Sequence, residues 1–237
     1  MAISVAYLMN ILIPKSGEIS RGVILDKYEN VPFEKGFGTI ISERIVDLVF
    51  LLGMASVALL LKFEVLAEYI SDSIPSSVFY AVIIGLFGIG IIAFVFIKYS
   101  KSKANTKFRS FILGLKDGMM SILKMKNKGA FIFHTCLIWG LYLLSFYTAL
   151  FALEETTTIS FGTIITAFTV GSFTFAFTNS GFGTYPAALA GILSVFGVSK
   201  TVGVAFGWIV WTSNIASLVF FGCISLLLLP LYNRSKS

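Results

Sequence analysis

Two short segments rich in asparagine, glycine and proline interrupt the apolar sequence, and their residue types are suited to binding a charged group. The first covers residues 10–21, and the second covers residues 179–186. No Asp, Glu, Lys or Arg lies between Glu155 and Lys200, so the second segment is a polar break in an uncharged region. Free N–H groups at a broken helix attract anions, and an asparagine amide can cap the helix end. The candidate residues are Asn10, Pro14, Gly17, Glu18 and Arg21 in the first segment and Asn179, Gly181, Gly183, Tyr185 and Pro186 in the second.

A third group of charged residues lies at the start of a long apolar run. The apolar residues 48–61 are too few to cross a bilayer, which takes about 20 residues, so this span must begin near Ser42. Glu43, Arg44 and Asp47 are then drawn into the membrane edge. Each would cost about 2.5–3.5 kcal/mol at the centre of a helix, and less near its end. Arg44 can reach Asp47 one turn away, which favours a partly paired cluster facing protein or water. The alternative is a solvated first turn just outside the hydrocarbon.

The composition predicts a polytopic membrane protein. Hydrophobic residues make up 57% of the chain and charged residues 13%, with a mean hydropathy of +0.90. Soluble domains carry about 25% charge. We therefore predict an all-α helical bundle in the membrane, formed by a single domain over residues 1–237. The two polar segments are expected to be broken or re-entrant elements, as in transporters built from inverted repeats. A plain surface loop is the alternative for the second segment.

The expected elements follow from the apolar runs. Residues 1–36 are expected to form a partial first element and an amphipathic segment, in which Glu18 and Arg21 can pair. Residues 158–178 are expected to enter the membrane, and the chain returns as a short helix to about residue 197. Full spans are expected over residues 37–61, 74–97, 129–153 and 201–230.

The last expected span contains two further features. Gly203 and Gly207 form a pair of small residues spaced for close helix packing. Asn214 lies deep in the same span and needs a polar partner, which makes it a further candidate for the site.

The distribution of charge predicts the orientation in the membrane. Residues 98–128 hold nine of the 18 Lys and Arg and one acid, Asp117. The positive-inside rule places this segment in the cytoplasm, and Arg234 and Lys236 place the C-terminus on the same side of a cell (inner) membrane. Apolar residues at helical spacing opposite the lysines favour an amphipathic helix on the anionic inner leaflet. Membrane lipids are thus the expected partners. A calmodulin-like partner is a weaker alternative, nucleic acid is not expected, and a homo-oligomer stays open.

The three groups together resemble the membrane domain of the lysylphosphatidylglycerol synthase family, over nearly the whole chain. The resemblance implies a helical membrane domain that moves a lipid, such as aminoacylated phosphatidylglycerol, between leaflets, with the two breaks as re-entrant elements near the lipid path. Family members usually have about two more helices before the first motif. Many also have an acid where this chain has Pro186. The soluble aminoacyl-transferring domain of the synthase is absent from the sequence. The matching residues are Asn10, Pro14, Gly17, Glu18, Arg21, Glu43, Arg44, Asp47, Gly181, Gly183, Tyr185 and Pro186.

The favoured function is translocation of a phospholipid or a lipid-linked anionic substrate. Arg21 and Arg44 would attract a phosphate, because a guanidinium group matches phosphate oxygens bidentately. The alternatives are a membrane-embedded lipid-modifying transferase, similar to a phosphatidylglycerol lysyltransferase, and an ion-coupled transporter of a small solute. The sequence shows no nucleophile–base pair and no metal-ligand cluster, so we expect no metal and no cofactor, and enzyme activity is the less favoured reading.

The topology can be tested at Ser102, in the basic segment. With Cys136 and Cys223 replaced by serine, a cysteine at position 102 should react with an impermeant maleimide only after the membrane is permeabilised. Labelling of intact cells from outside would overturn the cytoplasmic assignment.

Overall fold

The computed structural model describes residues 1–65 and 126–233, and within these ranges the chain forms helices and no strands. The expected span over residues 74–97 and most of the basic segment 98–128 lie outside the described residues. The all-α prediction is confirmed. The helices are α1 (Ala2–Leu12), α2 (Gly17–Glu29), α3 (Phe33–Leu61), α4 (Lys128–Ala149), α5 (Phe161–Phe177), α6 (Thr184–Val195) and α7 (Lys200–Tyr232). Two short 3-10 turns, Leu150–Ala152 and Glu154–Thr156, follow α4.

Among the described helices, α3, α7 and the segment Lys128–Ala152 are long and apolar enough to cross a membrane. With 29 residues at about 1.5 Å each, α3 extends about 43 Å, more than the roughly 30 Å hydrocarbon core. By contrast, α1 has 11 residues, α5 has 17 and α6 has 12, so each is shorter than that core. A short apolar helix therefore precedes each polar break, and another follows the second break.

The described helices repeat one pattern twice. A short helix, a break, a second short helix and a long helix follow each other in α1–α2–α3 and again in α5–α6–α7. Within each unit the consecutive helices pack on one another. Between the units the packing is exchanged, because α1 packs on α7 and α5 packs on α3. The first helix of each unit thus lies against the long helix of the other, which agrees with the repeat that the paired breaks suggested.

The buried core lies between α4, α5, α6 and α7. Phe206 of α7 is fully buried and contacts the ring of Phe146 edge to face, with 5.2 Å between the ring centres. Phe146 in turn contacts Phe168 of α5 at 5.8 Å. Edge-to-face pairs of this kind add about 0.5–1.5 kcal/mol beyond the burial of their area. This core holds the second unit in position around α6.

The glycine pair of the last span performs the packing role that its spacing predicted. A Cβ on Gly207 would lie 2.5 Å from the Cα of Pro186, and a Cβ on Gly203 would lie 2.7 Å from the Cα of Ala190. Both neighbours are backbone atoms of α6, so α6 and α7 approach each other as closely as glycine allows.

Gly207→Ala should therefore lower the stability of the protein. Overpacking typically costs about 1–3 kcal/mol, which outweighs the roughly 1 kcal/mol that alanine gains over glycine in a helix. Gly140→Ala is the matched control, because a Cβ there has nothing within 4 Å. Thermal unfolding of the purified variants should rank Gly207→Ala below the wild type and Gly140→Ala at or above it. Equal stability of the two variants would show that the α6–α7 contact is looser than the structure indicates.

Candidate functional site at the two chain breaks

The first break covers residues 13–16, and its neighbours satisfy the freed backbone groups. The backbone N–H of Gly17 donates to the side-chain oxygen of Asn10 at 2.7 Å. The hydroxyl of Ser16 donates to the carbonyl of Ile13 at 2.8 Å. Gly17 is buried, and a Cβ there would lie 2.2 Å from the carbonyl oxygen of Ala6. The chain therefore turns back tightly, and α1 and α2 form a helical hairpin.

The second break covers residues 178–183, which is shorter than the segment expected from the sequence. Ser180, Gly181 and Gly183 all have positive φ. Gly183 has φ 68 and ψ −36, a combination that suits glycine and strains other residues. The indole N–H of Trp211 in α7 donates to the carbonyl of Ser180 at 2.8 Å, so a long helix supports the break.

Tyr185 and Pro186, which the sequence placed in the break, belong to the first turn of α6. Both are buried, and the ring of Tyr185 contacts that of Phe175 with 4.8 Å between centres. A Cβ on Gly171 would lie 3.0 Å from the hydroxyl oxygen of Tyr185, so this ring fixes the packing of α5 on α6. Proline is tolerated in the first turn of a helix, so α6 begins at Thr184, inside the segment that the sequence assigned to the break.

The two breaks meet in space. The ammonium group of Lys15 in the first break donates to the carbonyl of Ala176, at the C-terminal end of α5, at 3.1 Å. The hydroxyl of Ser180 in the second break lies 3.5 Å from the carbonyl oxygen of Asn10. Residues more than 160 positions apart are thereby joined. Lys15 was missed from the sequence, although a cation is favoured beside the last carbonyls of a helix.

The arginine of the first segment pairs with the third group. Both terminal nitrogens of Arg21 bond to the carboxylate of Glu43, at 2.5 and 2.9 Å. The side chains are 17% and 31% exposed, and the pair ties α2 to α3. The expected pairing of Arg21 with Glu18 is therefore wrong. The partner on α3 offers a bidentate geometry that a residue one turn away on the same helix cannot match.

A cluster of polar side chains surrounds Arg44. One nitrogen of Arg44 lies 3.2 Å from a carboxylate oxygen of Asp47, which confirms the expected pair. Tyr7 of α1 and Glu18 of α2 are electrostatic neighbours of Arg44, and Tyr7 is also a neighbour of Tyr142 in α4. We call the following residues the Arg44 cluster: Tyr7, Glu18, Arg44, Asp47, Trp139 and Tyr142.

The Arg44 cluster is assembled by four helices and stays open on one side. The indole N–H of Trp139 in α4 lies 3.4 Å from the second carboxylate oxygen of Asp47. The side chain of Arg44 is nevertheless 46% exposed, so the expectation that the whole charged group faces the interior holds for Glu43 better than for Arg44. Tyr7 and Tyr142 were missed from the sequence. The signal was their spacing, since Tyr7 lies three residues before Asn10 and Tyr142 three after Trp139.

The remaining predicted residues lie apart from these contacts. Pro14 and Asn179 are exposed in the two breaks. The N-terminus of α6 has no side-chain cap, so the capping role suggested for Asn179 is not observed. Asn214 finds its partner within its own helix, where its amide donates to the carbonyl of Val210 at 2.9 Å. Among the described residues, no group of three His, Cys, Asp or Glu side chains could hold a metal.

Apolar spanning helices joined to two facing hairpins define a multi-pass integral membrane protein. The chain belongs to the lysylphosphatidylglycerol synthase transmembrane family, since the model of the lysylphosphatidylglycerol synthase TM region matches residues 1–222. It is also similar to a UPF0104 membrane protein of Methanocaldococcus jannaschii, with 26% identity over 218 residues, covering 91% of this chain and 92% of the relative. No solved structure matches the chain.

The conformation of the second break can be tested with Gly181→Ala and Gly183→Ala. Positive φ costs a residue with a Cβ about 1–2 kcal/mol, and at Gly181 the Cβ would also lie 3.1 Å from that of Tyr185. Both variants should insert into the membrane at normal levels but expose the break to limited proteolysis, Gly181→Ala more than Gly183→Ala. Gly53→Ala, where a Cβ has nothing within 4 Å, should digest like the wild type. Wild-type digestion of both break variants would contradict the assigned backbone.

Proposed function

We propose that this protein moves a phospholipid, or another lipid-linked substrate with an anionic headgroup, between the leaflets of its membrane. The observation that carries the proposal is the junction of the two breaks through Lys15 and Ser180. A headgroup crossing the hydrocarbon needs polar partners at that depth, and interrupted helices supply them.

The polar groups at the junction suit such a path. Residues 13–16 and 178–183 lie outside the helices and include the polar side chains of Lys15, Ser16 and Ser180. Lys15 is exposed, and its positive charge can attract the phosphate of a headgroup. A charged side chain costs about 2.5–3.5 kcal/mol at the centre of a membrane helix, so a lysine on a path through the membrane is expected to serve a function.

The charged residues of α2 and α3 extend the polar region beyond the junction. Glu18 lies in the first turn of α2, directly after the first break, and acts on Arg44. A member of the Arg44 cluster therefore directly follows the first break in the chain. The matched family is named after a synthase of a charged phospholipid, which supports a lipid as the substrate.

The test is a leaflet-resolved assay in proteoliposomes. A phospholipid with a fluorescent acyl chain is placed in both leaflets, and a membrane-impermeant reductant bleaches the outer one. If wild-type protein moves the lipid to the outer leaflet, the reductant should bleach the inner-leaflet lipid much faster than it does in empty liposomes. Lys15→Gln should slow this by about tenfold or more, because a hydrogen bond to a charged group contributes about 1.5–3 kcal/mol.

Lys200→Gln is the matched control, since Lys200 is an exposed lysine at the start of α7. It should translocate at the wild-type rate per reconstituted molecule. Wild-type protein that performs no better than empty liposomes would refute the function. A Lys15→Gln variant that is as fast as Lys200→Gln would refute the junction as the route.

A further inference from the structure

Two lysines of the first unit contact the second hairpin, which consists of α5, the second break and α6, and they do so at its opposite ends. Lys15 donates to the carbonyl of Ala176 near the tip at 3.1 Å. Lys62, the residue at which α3 ends, has its ammonium nitrogen 5.4 Å from the centre of the Phe196 ring, where α6 ends. An ammonium group within about 6 Å of a ring centre is attracted by the negative face of the ring. The hairpin is therefore held by a cation at its tip and by another at its base.

The apolar stem of Lys62 contacts the other helix of the hairpin. A Cβ on Gly162, in the first turn of α5, would lie 2.9 Å from Cε and 3.3 Å from Cγ of Lys62. The stem thus lies on α5 in the space that a side chain at position 162 would fill, and the ammonium group lies on the ring at the end of α6. One side chain of α3 therefore bridges both helices at the base of the second hairpin.

Both lysines lie where a helix of the hairpin ends. Lys15 is bonded one residue before the end of α5, and Lys62 lies on the residue that follows the last residue of α6. The C-terminal end of a helix carries a partial negative charge, so a cation is favoured beside it. The contact in the reverse direction, from Ser180 to the carbonyl of Asn10, is neutral and 3.5 Å long. The charged links across the junction described here thus run from the first unit to the second hairpin.

The helix α5 acts as a lever between these two contacts. Gly162 and Ala176 are 14 residues apart in the same helix, which corresponds to about 21 Å. A tilt of about 5° at the Gly162 end would move the other end by about 2 Å, enough to break a hydrogen bond of ordinary length. The contact of Lys62 at the base therefore determines whether the carbonyl of Ala176 stays on Lys15.

We infer that Lys62 is a positioning residue that keeps the second break in contact with the first. Its stem on Gly162 and its ammonium group on Phe196 fix the base of the hairpin, and α5 transmits that position to the tip. Lys62 acts through Lys15 and Ala176 and contacts no substrate itself. The inference rests on the proposed function only in treating the junction as the working part of the protein.

A pair of spin labels reports the junction without any transport step. Pro14 and Asn179 are exposed, one in each break, so a label can be attached to a cysteine at each position. The native Cys136 and Cys223 are replaced by serine. Dipolar broadening of the spectrum of the purified protein in lipid nanodiscs then measures how closely the two breaks approach each other. The doubly labelled protein with Lys62 intact should show strong broadening compared with the two singly labelled proteins.

Variants of Lys62 test whether its charge positions the tip. Lys62→Met keeps an apolar stem without the charge and should lose about half of the broadening or more. Lys62→Arg should retain the broadening, because a guanidinium group also lies favourably on an aromatic face. Lys200→Met, at an exposed lysine where α7 begins, is the matched control and should leave the broadening unchanged.

Gly162→Ala separates positioning from stability. The new Cβ should displace the flexible end of Lys62 and move its ammonium group off the ring, while alanine favours the helix. The unfolding temperature should therefore equal or exceed that of the wild type, although the broadening falls. Gly140→Ala, where a Cβ has nothing within 4 Å, should change neither the broadening nor lower the unfolding temperature. If Lys62→Met fails to fold, this pair of glycine variants decides.

Several results would overturn the inference. Broadening in Lys62→Met equal to that in Lys200→Met would refute the positioning role, and a lower unfolding temperature with it would leave Lys62 as a structural contact alone. Loss of broadening in Lys62→Arg as well would refute the attraction between the cation and the ring. Protein with Lys62 intact that shows no broadening would refute the junction itself, and with it both the inference and the proposed route. The expected broadening in a protein that does not translocate lipid would leave the role of Lys62 standing and refute the proposed function alone.

Discussion

A backbone that breaks inside hydrocarbon must find its hydrogen-bond partners in the protein, because no water is present to supply them. The partners of these two breaks come from the preceding helix and from distant parts of the chain. The carbonyl of Ala176 accepts from Lys15, the carbonyl of Ser180 accepts from Trp211, and the N–H of Gly17 donates to Asn10. The packing of α1 on α2 and of α6 on α7 brings Gly17 to Asn10 and Ser180 to Trp211, and the packing between the two units brings Lys15 to Ala176.

The same requirement separates the roles of the charged residues. An arginine near hydrocarbon is tolerated when a carboxylate pairs with it, and Glu43 accepts from both terminal nitrogens of Arg21. Arg44 contacts Asp47 through one nitrogen and keeps 46% of its side chain exposed. Side chains of equal charge on neighbouring helices thus differ in their contacts: Arg21 ties α2 to α3 through a bidentate pair, and Arg44 contacts a residue of its own helix.

The sequence predicted the elements well and their contacts less well. The length of the apolar runs predicts the all-α bundle, and glycine and proline predict the two breaks. The spacing of Gly203 and Gly207 predicts that α7 packs closely on another helix. These signals act locally or within one helix. The Arg44–Asp47 pair follows from helical spacing for the same reason. The pairing of Arg21 with Glu43 and the proximity of Tyr7 to Arg44 depend on how the helices of the first unit pack on one another. The reach of Lys15 to α5 depends on how whole helices are exchanged between the two units. Spacing along a single chain carries no record of that exchange.

The exchanged packing also sets an order of events during synthesis. The helix α1 is made first, yet its partner α7 is the last described helix to leave the ribosome. The hairpin of α1 and α2 must therefore wait in the membrane, with the carbonyl partner of Lys15 not yet made, until the second unit arrives. Contacts between distant parts of a chain form late, because closing the long loop costs entropy before the contact repays it. The early hairpin is consequently the part of this protein that depends most on insertion machinery or lipid to protect it before the bundle closes.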